Sequence, residues 1–423
     1  MLILLAACAR DGLVELDYCT TEVGDPPTTP TADAVTWYAD VEPILREHCA
    51  GCHAEGEAAP FPLETWAQTA AVDTAVRAAV LSGDMPPWSA EDCCGKEYRD
   101  DRRLTEAERN IVVGWIDQGS PEGNPEDAQS FEEPGGLARV DLELVMEPYT
   151  ASPRNGTDDE VRCFLIEVPE AAEGRFVTGY GVAPGDPRIV HHVIVDQVAK
   201  KDLPTFEAYD RGDAGPGWDC YGGGGTGTGG NIGGWVPGQD ALELPEGLGI
   251  ELGEGSRVLL NVHYDLGSVA GEPTEDATTV QLMLEDGVEH EVQGFGMLHP
   301  LWLYDSGMEL EGEGAETGYG FAYAPSAIYG RKTWTVWGAF FHMHELGFRG
   351  SMAILRGEEQ ECLLHIDDWD FEWQANYWFE EPTKLEPGDE LYVECRWTNP
   401  GDPVAWETDQ EMCAGVVYVT EDP

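Results

Sequence analysis

The chain has 423 residues, 42% hydrophobic and 10% aromatic, enough to bury about three domain cores and too apolar for wholesale disorder. Eighty-one Asp and Glu against 23 Lys and Arg leave a net charge of −58, spread along the whole length, which disfavours nucleic acid and anionic membrane surfaces as partners. Eleven cysteines, without a zinc-type double Cys-x-x-Cys set, point to an oxidising compartment.

Residues 1–8 read as the apolar end of a secretion signal, and Leu5-Ala6-Ala7-Cys8 resembles a bacterial lipobox in which Cys8 carries lipid. The expectation is an exported, periplasmic or cell-surface lipoprotein that meets the membrane through this anchor alone, since no later apolar run reaches the length of a span. Residues 9–36, with Val23-Gly24-Asp25-Pro26-Pro27-Thr28-Thr29-Pro30, read as an extended tether.

Residues 37–120 carry the helical signals. Val41, Ile44 and Leu45 share a face, Glu64 to Leu81 runs without Gly or Pro, and Thr105-Glu106-Ala107-Glu108 is a capping box opening a helix that stops at Gly119. A small all-α domain is predicted, one that needs more than its own apolar area to be robust. Residues 121–138 form a second linker, rich in Pro, Gly and acid.

From residue 139 the texture is that of strands. Arg162 to Val168, Ile189 to Val195, Arg257 to Tyr264, Thr333 to His342, Glu390 to Trp397 and Gly415 to Thr420 are separated by Gly, Pro and Asp clusters, the pattern of antiparallel sandwiches. The length predicts two of them, 139–287 and 288–423. The glycine-rich stretch Cys220 to Gly234 lacks the strand-to-helix setting of a phosphate loop and reads as a surface excursion.

Three motifs carry chemistry. Cys49-Ala50-Gly51-Cys52-His53 has the form of a c-type haem attachment site, with Cys49 and Cys52 bonded to the porphyrin, His53 as proximal ligand and Met85 as the sixth ligand. This region resembles the class I cytochrome c fold. In Phe341-His342-Met343-His344-Glu345, two histidines two apart project from one side of an extended strand and can close on one metal; Met412 offers a soft third ligand suited to copper. His191 and His192 are adjacent, so sharing a metal with His263 requires a local distortion of the strand or the use of different ring nitrogens.

In order, His191-His192, Val262-His263-Tyr264, His342-Met343-His344 and Glu411-Met412-Cys413 resemble the copper type II, ascorbate-dependent monooxygenases, the family of peptidylglycine α-hydroxylating and dopamine β-monooxygenases. The resemblance spans about Asp141 to Val419 and is supported by Leu244-Pro245-Glu246-Gly247-Leu248-Gly249. It implies two antiparallel, jelly-roll-like β-sandwich domains after the cytochrome c-like one. It implies an electron-transfer copper on His191, His192 and His263, an oxygen-activating copper on His342, His344 and Met412, and disulfides Cys395 to Cys413 and Cys163 to Cys220. The pairing of Cys19, Cys93, Cys94 and Cys362 stays open.

The implied function is hydroxylation of a C–H bond of a small organic substrate with O2. Its cofactors are two copper ions and one covalent haem c, with ascorbate or a redox protein as external reductant. Phe340 stands where peptide-hydroxylating members carry a basic residue, and Ala414 and Val416 replace polar and Tyr positions, so a peptide carboxylate is disfavoured. A neutral or cationic, partly aromatic substrate would fit a lining of Phe340, Phe341, Trp334 and Trp337 better, although an apolar strand of this kind reads equally as core. The alternative is a non-catalytic haem and copper electron-transfer or copper-handling protein. His48, His290, His299 and His365 are read as structural or surface residues.

Overall fold

The computed structural model describes residues 9–16, 18–19, 35–99, 101–130, 136–154, 157–220, 227–299, 309–371, 373–405 and 411–422. The expected signal and most of the expected tether lie outside them. A nine-stranded sheet runs through the middle in the order Leu142–Val145, Thr279–Glu285, Phe176–Ala183, Leu248–Glu251, His290–Gly296, Ala414–Glu421, Trp334–His342 and Asn376–Leu385, with Leu242–Glu243 added to Phe176–Ala183. One five-stranded sheet, Trp218–Asp219, Asp159–Glu167, Arg257–Asp265, Val190–Val198 and Gly230–Trp235, shares an apolar core with its first part. Another, Ala9–Asp11, Ala315–Tyr323, Glu390–Asn399, Gly347–Arg356 and Glu359–Ile366, shares a core with its second part.

The strand Trp334–His342 shows why the middle sheet can be covered on both faces. Trp334, Val336, Ala339 and Phe341 enter one core, while Trp337 and Phe340 pack on the other. A bulge between Val336 and Gly338 takes up the change of parity along the strand.

This architecture corrects the expected fold class. The protein is mostly β-sheet with several sheets, and the predicted small all-α domain is replaced by a few short helices. Glu64 to Leu81 breaks at Val72 into Trp66–Ala71 and Asp73–Ser82; the Thr105–Glu108 capping box does open the helix Glu106–Asp117. The physical reason is that part of this stretch spends its apolar residues on the β core. Ala90 and Tyr98 are buried there, Tyr98 bridges to Phe379, and Cys94 is bonded to Cys362. Leu248–Glu251 pairs in parallel with His290–Gly296 across the expected boundary at Gly287, so one sheet runs through both expected sandwiches.

Other differences are local. Ala9–Asp11 adds an edge strand to Ala315–Tyr323, and Cys19 is bonded to Cys93. Cys163–Cys220 and Cys395–Cys413, the two pairings implied by resemblance, are both present. The glycine-rich stretch ends as the strand Gly230–Trp235, paired to Val190–Val198; a Cβ on Gly233 would lie 2.1 Å from the Tyr180 ring, so only glycine lets the strand approach. Among the described residues no helix is long and apolar enough to cross a membrane.

Glu361 ties the helical stretch to the sheet, accepting from Lys96 at 2.8 Å and from Arg356 at 2.5 Å. Burial opposes its charge, but these partners and Thr383 win and hold its carboxyl at about 2. A depressed carboxylate stabilises the fold above its unfolded pKa and loses that contribution as pH falls through the folded value. Glu361→Gln should therefore destabilise by up to about 3 kcal/mol at neutral pH, with the difference from wild type vanishing as pH falls from about 4.5 to 2 in urea titrations.

Candidate metal centres

The first histidine group forms where Val190–Val198 meets Arg257–Asp265. His263 pairs with His192 but Tyr264 pairs with Val190, so His191 is the extra residue of a bulge. The distortion that a shared site demanded is thus present. Ligand-capable atoms of His191, His192 and His263 all lie within 4.8 Å of one another. His263 Nδ1 faces His192 Nδ1 at 3.4 Å, and His263 Nε2 meets Asp159 Oδ1 at 3.0 Å. Burial, then the neighbouring His263, lowers His191 to about 4 and His192 well below the usual range. Imidazoles whose nitrogens converge are a donor set that fits a copper ion.

The second group forms where Trp334–His342 ends. Alternation sends Met343 fully into the core, and the rings of His342 and His344 come together with centroids 5.1 Å apart. His342 Nδ1 donates to Gln374 Oε1 at 2.6 Å, an orientation set by Gln374 Nε2 donating to the Phe371 carbonyl at 2.8 Å. That leaves His342 Nε2 as the lone-pair nitrogen, as a metal ligand requires.

Glu411 joins this pair to Met412. Its buried carboxylate accepts from His344 N at 3.0 Å, Leu346 N at 2.5 Å, Trp397 Nε1 at 2.8 Å and Met412 N at 3.3 Å. Burial pushes its carboxyl up to about 7 against these bonds. The amides of His344 and Met412 share one oxygen, so the two stretches meet at a fixed point, and Cys395–Cys413 anchors the same segment. Imidazoles with a thioether on the adjoining segment fit copper.

The Cys49-to-His53 motif lies on a short helix whose Cys52 packs against Gly238, where an added Cβ would stand 2.6 Å from the sulfur. Cys49 and Cys52 are both unpaired. Burial raises both thiols, Cys49 to about 12, so neither is poised for disulfide exchange. His53 Nδ1 meets the Phe61 carbonyl at 2.8 Å, which leaves Nε2 as the lone-pair nitrogen. Cys49, Cys52 and His53 thus lie together at this short helix, whereas Met85 is 44% exposed and outside the apolar cluster that packs Cys49 and Phe61.

A cavity of about 570 Å³ opens beside the first group, lined by His263, Trp369, Phe371, Glu345, Asp368 and Asp370 among others. Of the two readings of the aromatic strand, lining or core, the structure bears out core. Trp334, Phe340 and Phe341 are core residues, and Trp337 packs on the core with Nε1 donating to Thr420. Asp159, Phe371 and Gln374 carried no signal that sequence reading used, and Glu411 was named only as part of the Glu411-Met412-Cys413 motif. The signal for Phe371 was the run Trp369-Asp370-Phe371-Glu372-Trp373, aromatic yet outside any strand pattern.

Residues 329–420 match the copper type II ascorbate-dependent monooxygenase, C-terminal domain. His342, His344 and Met412 fall inside that match, and the first histidine group falls outside it. The chain is also 29% identical over 203 residues to human DBH-like monooxygenase protein 1, which covers 42% of this chain and 31% of that protein. The mouse protein of the same name is 29% identical over 200 residues with the same shares. The matched stretch thus spans under a third of these relatives. Together the matches support the copper monooxygenase family. Among solved structures, an infectious bursal disease virus VP2 subviral particle shares 68% of this chain and 74% of its own at 9% identity, with a TM-score of 0.17, too low to support a common fold.

Replacing Glu411 by Leu leaves several buried N–H groups without their acceptor. Glu411→Leu should cost about 3 kcal/mol or more in urea unfolding, and Glu411→Gln clearly less. Equal stability of both variants and wild type would contradict the role given to this carboxylate.

Proposed function

We propose that this chain is an exported copper-dependent monooxygenase that hydroxylates a C–H bond of a small organic cation with O2. The observation that carries the reading is the convergence of two histidine groups on one aromatic side chain, Phe371, beside a cavity of about 570 Å³. His191, His192 and His263 would hold one copper ion, and His342, His344 and Met412 the other. Bound copper supplies one-electron redox chemistry and reduction of O2 at the site with the thioether.

The residues of the chain do the rest. Asp159 orients His263 and Gln374 orients His342, each fixing which ring nitrogen is left for a metal. Glu411 keeps Met412 beside the pair. Asp368, Asp370 and Glu345 make the cavity electronegative, while Arg154 is engaged by Glu160 and Asp219. A protonated amine with an aromatic or apolar body suits such a space, with Trp369 and Phe371 as its apolar wall.

Covalent haem on Cys49, Cys52 and His53 would supply a one-electron donor at the helical stretch, as an alternative to ascorbate. Export would follow from a lipid on Cys8.

Metal analysis with a pyridine haemochrome spectrum should find two copper ions and one haem per chain, with haem lost in Cys52→Ala and copper retained. An arylalkylamine should be turned over with kcat/KM about tenfold or more above its N-acetyl derivative, and Asp368→Asn with Glu345→Gln should erase that preference. Absence of copper from wild type would sink the function, and haem absent from a matured preparation would remove only the donor.

A further inference from the structure

The segment between the strands Glu359–Ile366 and Asn376–Leu385 carries no recognised motif, yet it touches both histidine groups. The Phe371 ring centroid lies 5.6 Å from that of His263, 5.9 Å from that of His192 and 5.8 Å from that of His344. One ring is therefore within packing distance of both groups. Its position is fixed from both sides. Trp369 Nε1 donates to the His344 carbonyl at 3.2 Å, and Gln374 spans from the Phe371 carbonyl to His342 Nδ1. The same side-chain amide thus sets the tautomer of His342 and the placement of Phe371.

The two halves that carry these groups are locked together just behind the segment. Asn376 donates to the Tyr180 hydroxyl at 3.0 Å, and the Tyr418 hydroxyl lies 2.7 Å from Asn376 Oδ1 and 2.5 Å from Asn231 Oδ1. With the shared sheet, these bonds oppose any opening between the halves.

We propose that Phe371 is the positioning residue that holds the two histidine groups one ring apart, so that an electron crosses between them through packed protein without closure of a cleft. This rests on the copper reading above. With copper held at both groups, each centre would give up one electron per turnover, that of the His191, His192 and His263 group crossing to the His342, His344 and Met412 group; O2, two protons and the C–H bond would give the hydroxyl and water, and a donor of the ascorbate class would return the two electrons. Electronic coupling falls steeply with distance and more steeply across solvent than through packed atoms, so removing the ring weakens the crossing more than it weakens either site.

Two readouts separate this from a structural role and from the copper reading itself. In metal-free protein, histidine NMR should show His192, His263 and His344 shifting together in Phe371→Leu as the ring current is lost, while His290 and His365 hold. In copper-loaded protein, Phe371→Leu should bind both ions and keep KM while kcat falls about tenfold or more, and Phe371→Tyr should restore it. Freeze-quenched EPR at the time wild type completes its first turnover should then show about half the oxidised copper of wild type, because in the variant the first centre has not yet given up its electron. Shifts confined to one histidine group, or wild-type kcat in Phe371→Leu with both ions bound, would overturn the proposal. The expected shifts in Phe371→Leu together with a wild type that binds no copper would instead overturn the function on which it rests.

Discussion

The backbone ladder on both edges of the strand Ala414–Glu421 is the constraint on which both histidine groups depend. One edge pairs with Trp334–His342, which ends in the second group. The other pairs with His290–Gly296, which carries Leu248–Glu251 and through it the first part of the sheet. The strand is buried on both faces, so slipping its register by one residue would turn apolar side chains of two cores the wrong way. Its N-terminal end leads back through Cys413 and Met412 to Glu411, so the same ladder delivers the thioether to the His342 and His344 pair.

Within that frame, the local chemistry is held by few polar groups: Glu411 and Gln374 are buried, and Asp159 is half exposed. Glu411 gathers two stretches of backbone that are distant in sequence, and the low dielectric around it makes those bonds matter. Asp159 and Gln374 perform the equivalent task for single rings. The acidity of the chain as a whole says little about chemistry, but concentrated in the cavity beside His263 it sets the charge of what can enter.

Legibility in the sequence followed the range of the interaction. The two-residue alternation that brings His342 and His344 together is local and could be read directly. The His191 bulge could be stated only as a requirement, because the partner strand that imposes it is more than sixty residues away in sequence. The parallel pairing of Leu248 with His290 and of Gly249 with Glu291 is two residues long and carries no pattern of its own, and the fold class was misread at the helical stretch for a related reason. Ala90 and Tyr98 look like helical-domain residues in sequence and are used by the β core in space. Phe371 escaped notice because its value lies wholly in three histidines from three different segments.

The central claim is that the two histidine groups serve one oxygen-inserting reaction, and isotopic labelling tests it most directly. With copper-loaded protein, ascorbate and an arylalkylamine under ¹⁸O2, the account predicts a hydroxylated product carrying one labelled oxygen, formed in proportion to the O2 consumed. Oxidation of ascorbate without labelled product would contradict it and leave the protein an electron carrier.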